Sequence, residues 1–155
     1  MILIARRATP ANVAKYGGFA GPPAGAPTSA GTGYKFWSDI AHYHVDGETE
    51  IGLCTVFERP GEPVGAMERH LRTPEILVPI DAPFVVPVMT DGPAAVPEAF
   101  LVNPGEAIVI NGGVWHGACL PVRRQQSTYF VIFRRGTPAE DVEKQDVFPF
   151  SVVVD

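Results

Sequence analysis

The chain is poor in cysteine and histidine and has no long apolar run. Its two cysteines, Cys54 and Cys119, lie far apart with no CxxC partner, which argues against a disulfide framework. No uninterrupted apolar stretch approaches the roughly 18 residues of a membrane helix. The opening Met1–Arg7 places its charges after a very short apolar run, the wrong order for a signal peptide. Net charge is −5, with acidic and basic residues mixed along the chain, so there is no basic stripe to hold nucleic acid and no amphipathic membrane helix. The expectation is a cytoplasmic protein whose partners include neither nucleic acid nor membrane.

What the chain does have is proline and glycine, sixteen of each, spread throughout. An interior proline costs a helix about 3 kcal/mol, so long helices are excluded and short strands joined by tight turns are favoured. One helix is predicted, Thr9 to Tyr16, with Thr9 as its cap and Pro10 at its first position. Gly17 to Gly33 has no period and reads as an irregular loop, either a lid or a linker. Strands are then predicted over 36–45, 50–57, 64–71, 75–80, 83–89, 99–102, 107–110, 114–120 and 127–133. Thr137 to Asp146 suggests a helical turn capped by Thr137. The apolar tail Val147–Val154 is suited to pair with a sheet in this subunit or a neighbour. Seven to ten such strands point to an all-β sandwich or small barrel in a single domain, residues 1–155.

Two groups of ligand-type residues stand out. His42-Tyr43-His44 with Glu48 is one. Glu68-Arg69-His70 with Glu75, answered later by His116, is the other. Residues two apart on a strand share a face, so Glu68 and His70 point together and Arg69 points away. Glu75, past the bend at Thr73-Pro74, can return to that face. For His42 and His44 the reading is an exposed strand face. For Glu68, His70, Glu75 and His116 it is a site, because Asn103-Pro104-Gly105-Glu106 followed by His116 has the layout of a second cupin motif. Mixed imidazole and carboxylate ligands suit nickel, manganese or zinc. Without a metal, His70 or His116 is the candidate base, since imidazole titrates near neutrality. Cys119 and Cys54 read as packing residues, and Trp115 as a core or pocket-wall aromatic.

The chain resembles the ureidoglycolate lyases of the cupin superfamily. Met67-Glu68-Arg69-His70, Thr73-x-Glu75, Ile76–Ile80, Val114-Trp115-His116 and Phe130-x-x-Phe133-x-Arg135-Gly136 carry the likeness, with Tyr16-Gly17 and Glu140-Asp141-Val142 in keeping with it. The resemblance implies a cupin-type double-stranded β-helix (jelly-roll) barrel, commonly dimeric, that cleaves (S)-ureidoglycolate to glyoxylate and urea in purine and allantoin nitrogen recovery. Glu75 stands where the family usually has glutamine, Gly117 where it has a second histidine, and Arg134 where it has an acidic residue. Glu75 shifts the first motif toward a metal-binding cupin. The expected site is then Glu68, His70, Glu75 and His116 around a divalent metal, with Glu68, His70 and His116 catalytic and no organic cofactor. A carboxylate substrate calls for a cation, and Arg134 or Arg135 is expected to look inward or toward a dimer contact. Lys35 and Tyr43 come from a segment that could cover the mouth, and Trp115 could wall the pocket. The alternatives are a metal-dependent cupin acting on another small oxo or hydroxy acid, and a small-ligand-binding cupin without catalysis.

Overall fold

A computed structural model describes residues 1–155. In chain order the elements are β1 (Ile2–Ile4), β2 (Arg6–Arg7), α1 (Pro10–Val13), β3 (Gly17–Ala20), β4 (Ser29–Gly31), β5 (Tyr34–Phe36), β6 (Thr49–Phe57) and β7 (Val64–Arg69). They continue with β8 (Glu75–Pro79), β9 (Phe84–Met89), β10 (Glu98–Val102), β11 (Ala107–Ile110), β12 (Trp115–His116), β13 (Leu120–Pro121), β14 (Gln126–Arg134), α2 (Thr137–Glu140) and β15 (Glu143–Val153). No helix is long and apolar enough to cross a membrane.

Two sheets face each other. One runs β1-β15-β7-β12-β9-β10-β2, with β13 on β9, and the other runs β3-β11-β8-β14-β6. Chain neighbours β7 and β8 lie in different sheets, as do β10 and β11, so the chain winds back and forth across the core. This all-β architecture is the double-stranded β-helix barrel that the resemblance implies.

The apolar runs explain the packing. Every residue of β9 is buried. Its alternating Phe84, Val86 and Val88 meet Tyr16, Leu77, Phe100, Ile108, Ile110 and Tyr129 between the sheets. Val85, on the other face, joins Ala99 and Val122 under Leu3, Ala5 and Val152. Each such side chain contributes about 1.5–3 kcal/mol on burial. The tail therefore stays in its own subunit: β15 pairs antiparallel with β7 and parallel with β1.

Four expectations are corrected. Gly17–Gly33 is not one irregular loop, because β3 pairs with β11 and β4 forms an exposed two-stranded ribbon with β5. At Gly17 a Cβ would lie 1.9 Å from the Val109 carbonyl oxygen, so the strand exists only because that residue is glycine, and glycines give no side-chain alternation to read. The predicted 36–45 strand stops at Phe36. Thr137 is the first residue of α2 rather than its cap. Gly136 takes the cap position at φ 84°, and the Thr137 hydroxyl donates to the Arg134 carbonyl at 2.7 Å. The helix at the other end is shorter than predicted, but Thr9 and Asn12 do form a reciprocal capping box.

Candidate metal centre and active site

Strand β7 divides its residues by parity. Glu68 faces the barrel interior, while Arg69 turns outward, stacks 4.4 Å over the Trp115 ring and bonds Glu143 at 2.7 Å and Asp91 at 2.8 Å. His70 follows the strand end and is buried, its Nδ1 held 2.7 Å from the Asp141 carbonyl oxygen. The bend at Leu71–Pro74 is fixed from outside. The Leu71 and Arg72 amides donate to the Asp141 carboxylate at 2.9 and 2.8 Å, and the Arg134 amide donates to the Thr73 hydroxyl at 3.0 Å. The bend returns the chain as β8, whose first residue is the buried Glu75. His116, on β12, sits directly across from Glu68 in the neighbouring strand.

These four side chains converge. Glu75 Oε2 lies 3.0 Å from His116 Nε2 and 3.7 Å from His70 Nε2. The ligand atoms of Glu68, His70 and His116 all fall within 4.8 Å of one another. His70 Nε2, Glu75 Oε2 and His116 Nε2 are buried, and none has a hydrogen-bond partner of good geometry. Three orphaned polar atoms aimed at one point are costly unless something satisfies them. Two imidazole nitrogens and a carboxylate, with Glu68 beside them, are the donor set that fits a divalent cation.

The electrostatics agree with the geometry. Burial acts to raise the Glu75 carboxyl, but the charges of His116 and His70 outweigh it and hold the group below its usual range. Burial acts to lower His116, and the charge of Glu75, aided by that of Glu68, leaves it raised. Phe133 packs edge-on to His70, with ring centroids 5.7 Å apart.

The cluster opens into connected cavities. One of about 350 Å³ runs into the barrel past Glu68, Glu75 and His116 to Cys54, Cys119 and Tyr129. Another of about 550 Å³ is bounded by Glu68, His70, Glu75, Phe133 and Lys144.

The other expected residues lie elsewhere. Arg135 bonds Glu48 at 2.9 Å, and both are exposed. Arg134 lines neither cavity. Lys35 and Tyr43 are exposed on the ribbon and the segment after it. Trp115 faces away from His116, into a cluster with Met67 and Met89, because adjacent strand residues take opposite faces. His42 and His44 are exposed beside Asp39 and Asp46. At Gly117 a Cβ would come within 3.3 Å of Pro87 and 3.4 Å of Val64, so a larger side chain there would need both to shift. No residue pattern points to Lys144, and Asp141 enters only within the Glu140-Asp141-Val142 stretch of the family likeness, with no role attached. Lys144 lies in a polar run without alternation, and Asp141 acts through a turn that only the fold brings to His70.

The family model described as Ureidoglycolate lyase matches residues 2–154. The chain belongs to the ureidoglycolate lyase family. It is thus a lyase by family, built on a cupin barrel. The ureidoglycolate lyase of Chelativorans sp. (strain BNC1) is 28% identical over 127 residues, covering 76% of this chain and 74% of that protein. Ureidoglycolate lyase 2 of Rhizobium meliloti (strain 1021) is 29% identical over 127 residues, covering 76% and 75%. Among solved structures, the vicilin of Solanum melongena overlaps with a TM-score of 0.47 at 12% identity, over 64% of this chain and 26% of that one. The oxalate decarboxylase of Lactobacillus farciminis overlaps with a TM-score of 0.47 at 12% identity, over 61% and 26%. The family member spans about a quarter of the length of these two structures.

Proposed function

We propose that this family member cleaves (S)-ureidoglycolate to glyoxylate and urea, as one cupin domain over residues 1–155, with Glu68, His70, Glu75 and His116 at the reacting centre. The observation that supports it is the set of three unpartnered buried atoms on His70, Glu75 and His116, opening into a cavity sized for a small acid. These residues, with Glu68, would hold a divalent ion, and nickel, manganese or zinc each suit the donors. When bound, such an ion supplies Lewis acidity to a hydroxy-acid substrate. No organic cofactor is required by the chemistry.

The reaction needs one proton moved from oxygen to nitrogen. A base removes the carbinol hydroxyl proton, the C–O bond becomes a carbonyl, and the C–N bond breaks with its electron pair going to the ureido nitrogen. That nitrogen then takes up a proton and leaves as urea. Glu68 is placed to carry this proton, because it is half-buried while the other three are buried, so it alone exchanges with solvent. His70 and His116 orient the reacting carbon's substituents against it.

The enzyme is read as a homodimer. β6 is an edge strand, and Ile51, Leu53 and Phe57 form an exposed apolar row along it, with Phe130 opposite Leu53. A free edge with an apolar face is suited to a second copy of the chain. Both cysteines are unpaired, in keeping with a reducing cytoplasm.

A coupled assay of urea and glyoxylate release tests the activity. Turnover should appear on loading with one of the three metals and should be lost in Glu68→Gln. No turnover with any metal supplied would overturn the reading.

A further inference from the structure

The geometry points to Lys144 as the residue that holds the substrate's carboxylate and sets the preference for an anionic acid over a neutral analogue. The inference rests on the ureidoglycolate reading for its substrate and adds the group that recognises it.

The need is electrostatic. Glu68 and Glu75 face the reacting centre, and even with an ion held between them an incoming carboxylate passes the half-buried Glu68 unless a further cation stands at the rim. Among twelve lysines and arginines, only Lys144 lines the cavity that contains His70 and Glu75. It also lines the adjoining cavity of about 470 Å³ that reaches His116, where the other cation, Arg59, stands 3.8 Å from Glu62 and lines no part of the cavity around His70 and Glu75. The guanidinium of Arg69 is committed to Asp91 and Glu143 on the outer face, and that of Arg135 to Glu48.

The strand register explains why Lys144 is there. Lys144 is the direct partner of Glu68 across β15 and β7, so both side chains project from the same face. Glu143, one residue earlier, takes the opposite face and meets Arg69. The ammonium of Lys144 is 4.0 Å from Glu68, beyond hydrogen-bond distance, and makes no hydrogen bond within the protein. Its three donors are therefore available, on a flexible stem whose side chain is 73% exposed at the cavity rim. A carboxylate entering between Lys144 and the histidines would meet an ammonium with no hydrogen-bonded partner, across the strand pair from Glu68 and within reach of the acid end of a short hydroxy acid.

The test compares wild type with Lys144→Met and Lys144→Arg, all as full-length protein. On ureidoglycolate, Lys144→Met should raise KM by roughly ten- to a hundredfold, the loss of one charge-assisted hydrogen bond, with kcat changed little. Lys144→Arg should recover most of the loss. Inhibition by glyoxylate should weaken in step with KM, while inhibition by neutral glyoxylamide should stay as in wild type. An unchanged KM, or equal weakening of glyoxylate and glyoxylamide, overturns the proposal. Melting curves with and without glyoxylate make it independent of the substrate. If wild type does not turn over ureidoglycolate but is stabilised by glyoxylate and Lys144→Met is not, the substrate assignment falls and the anchor stands. If glyoxylate stabilises neither, or both equally, the anchor falls.

Discussion

The carbonyl oxygen of Asp141 accepts a hydrogen bond from His70 Nδ1 at 2.7 Å, and this contact decides which nitrogen His70 turns toward Glu75 and His116. A carbonyl can only accept, so Nδ1 carries a proton and Nε2 is the nitrogen turned toward the cluster. The same residue's carboxylate holds the Leu71 and Arg72 amides. One residue outside the cavity thus sets both the tautomer of His70 and the bend that brings Glu75 back.

Asp141→Ala keeps the carbonyl but frees the bend. Metal affinity should fall by roughly ten- to a hundredfold, as for other groups that orient a ligand from behind it. Competition with a chelator measures this, and affinity equal to wild type would show that the clamp is dispensable.

Glu75→Gln keeps the shape and removes the charge. Elemental analysis should find a divalent metal in wild type and much less in the variant. Equal metal in both would remove Glu75 from the ligand set. Absence of metal from both would leave the four residues as acid and base groups only.

In chelator-treated protein the Glu75–His116 pair should shape stability against pH. His116 is raised above 6.5, so its contribution is complete below that value and is lost as pH climbs through the raised one. Glu75 is held below 4.5, so its contribution is present above 4.5 and is lost as pH falls through the lowered value. Denaturant titrations should show greatest stability from this pair between those values and a decline as pH climbs through the raised His116 value. Glu75→Gln should flatten the decline, and an identical profile in the variant would count against the pairing.

Burial pushes the Cys119 thiol well above its usual range, and the thiolate is the reactive form. A thiol reagent followed by mass spectrometry should leave Cys119 unmodified in the folded protein, with any labelling confined to the half-buried Cys54. Rapid labelling of Cys119 under native conditions would mean that the barrel opens there.

Ile51→Glu puts a charge into the outward row of β6 at a residue that lines none of the cavities around the site. Light scattering should show a monomer that keeps its metal. A dimer that survives the change would place the contact elsewhere.

Much of this was legible in the sequence, for identifiable reasons. Glu68, His70, Glu75 and His116 were readable together because strand parity and a bend at proline are local rules, and the apolar run of β9 announced a strand buried on both faces. The anchoring cation was not. Alternation along β14 points to Arg134 and Arg135, but that strand ends at Arg134, where the chain turns into α2 and Glu48 captures the Arg135 guanidinium. Lys144 faces the site only through its register with Glu68, a long-range pairing that no spacing within β15 reveals. Strand β3 was hidden because Gly17 and Gly18 have no side chains to alternate.

The parity of β7 also limits how this chain can change in length. Adding or deleting one residue between Val64 and Glu68 would exchange the inward carboxylate for the Arg69 guanidinium, bringing a cation against His70 and His116 and stranding a carboxylate over the Trp115 ring. The Arg59–Pro63 turn just before it is exposed and pairs with no strand, so length changes there leave the alternation untouched. Insertions and deletions among functional homologues should therefore gather in that turn and avoid the strand.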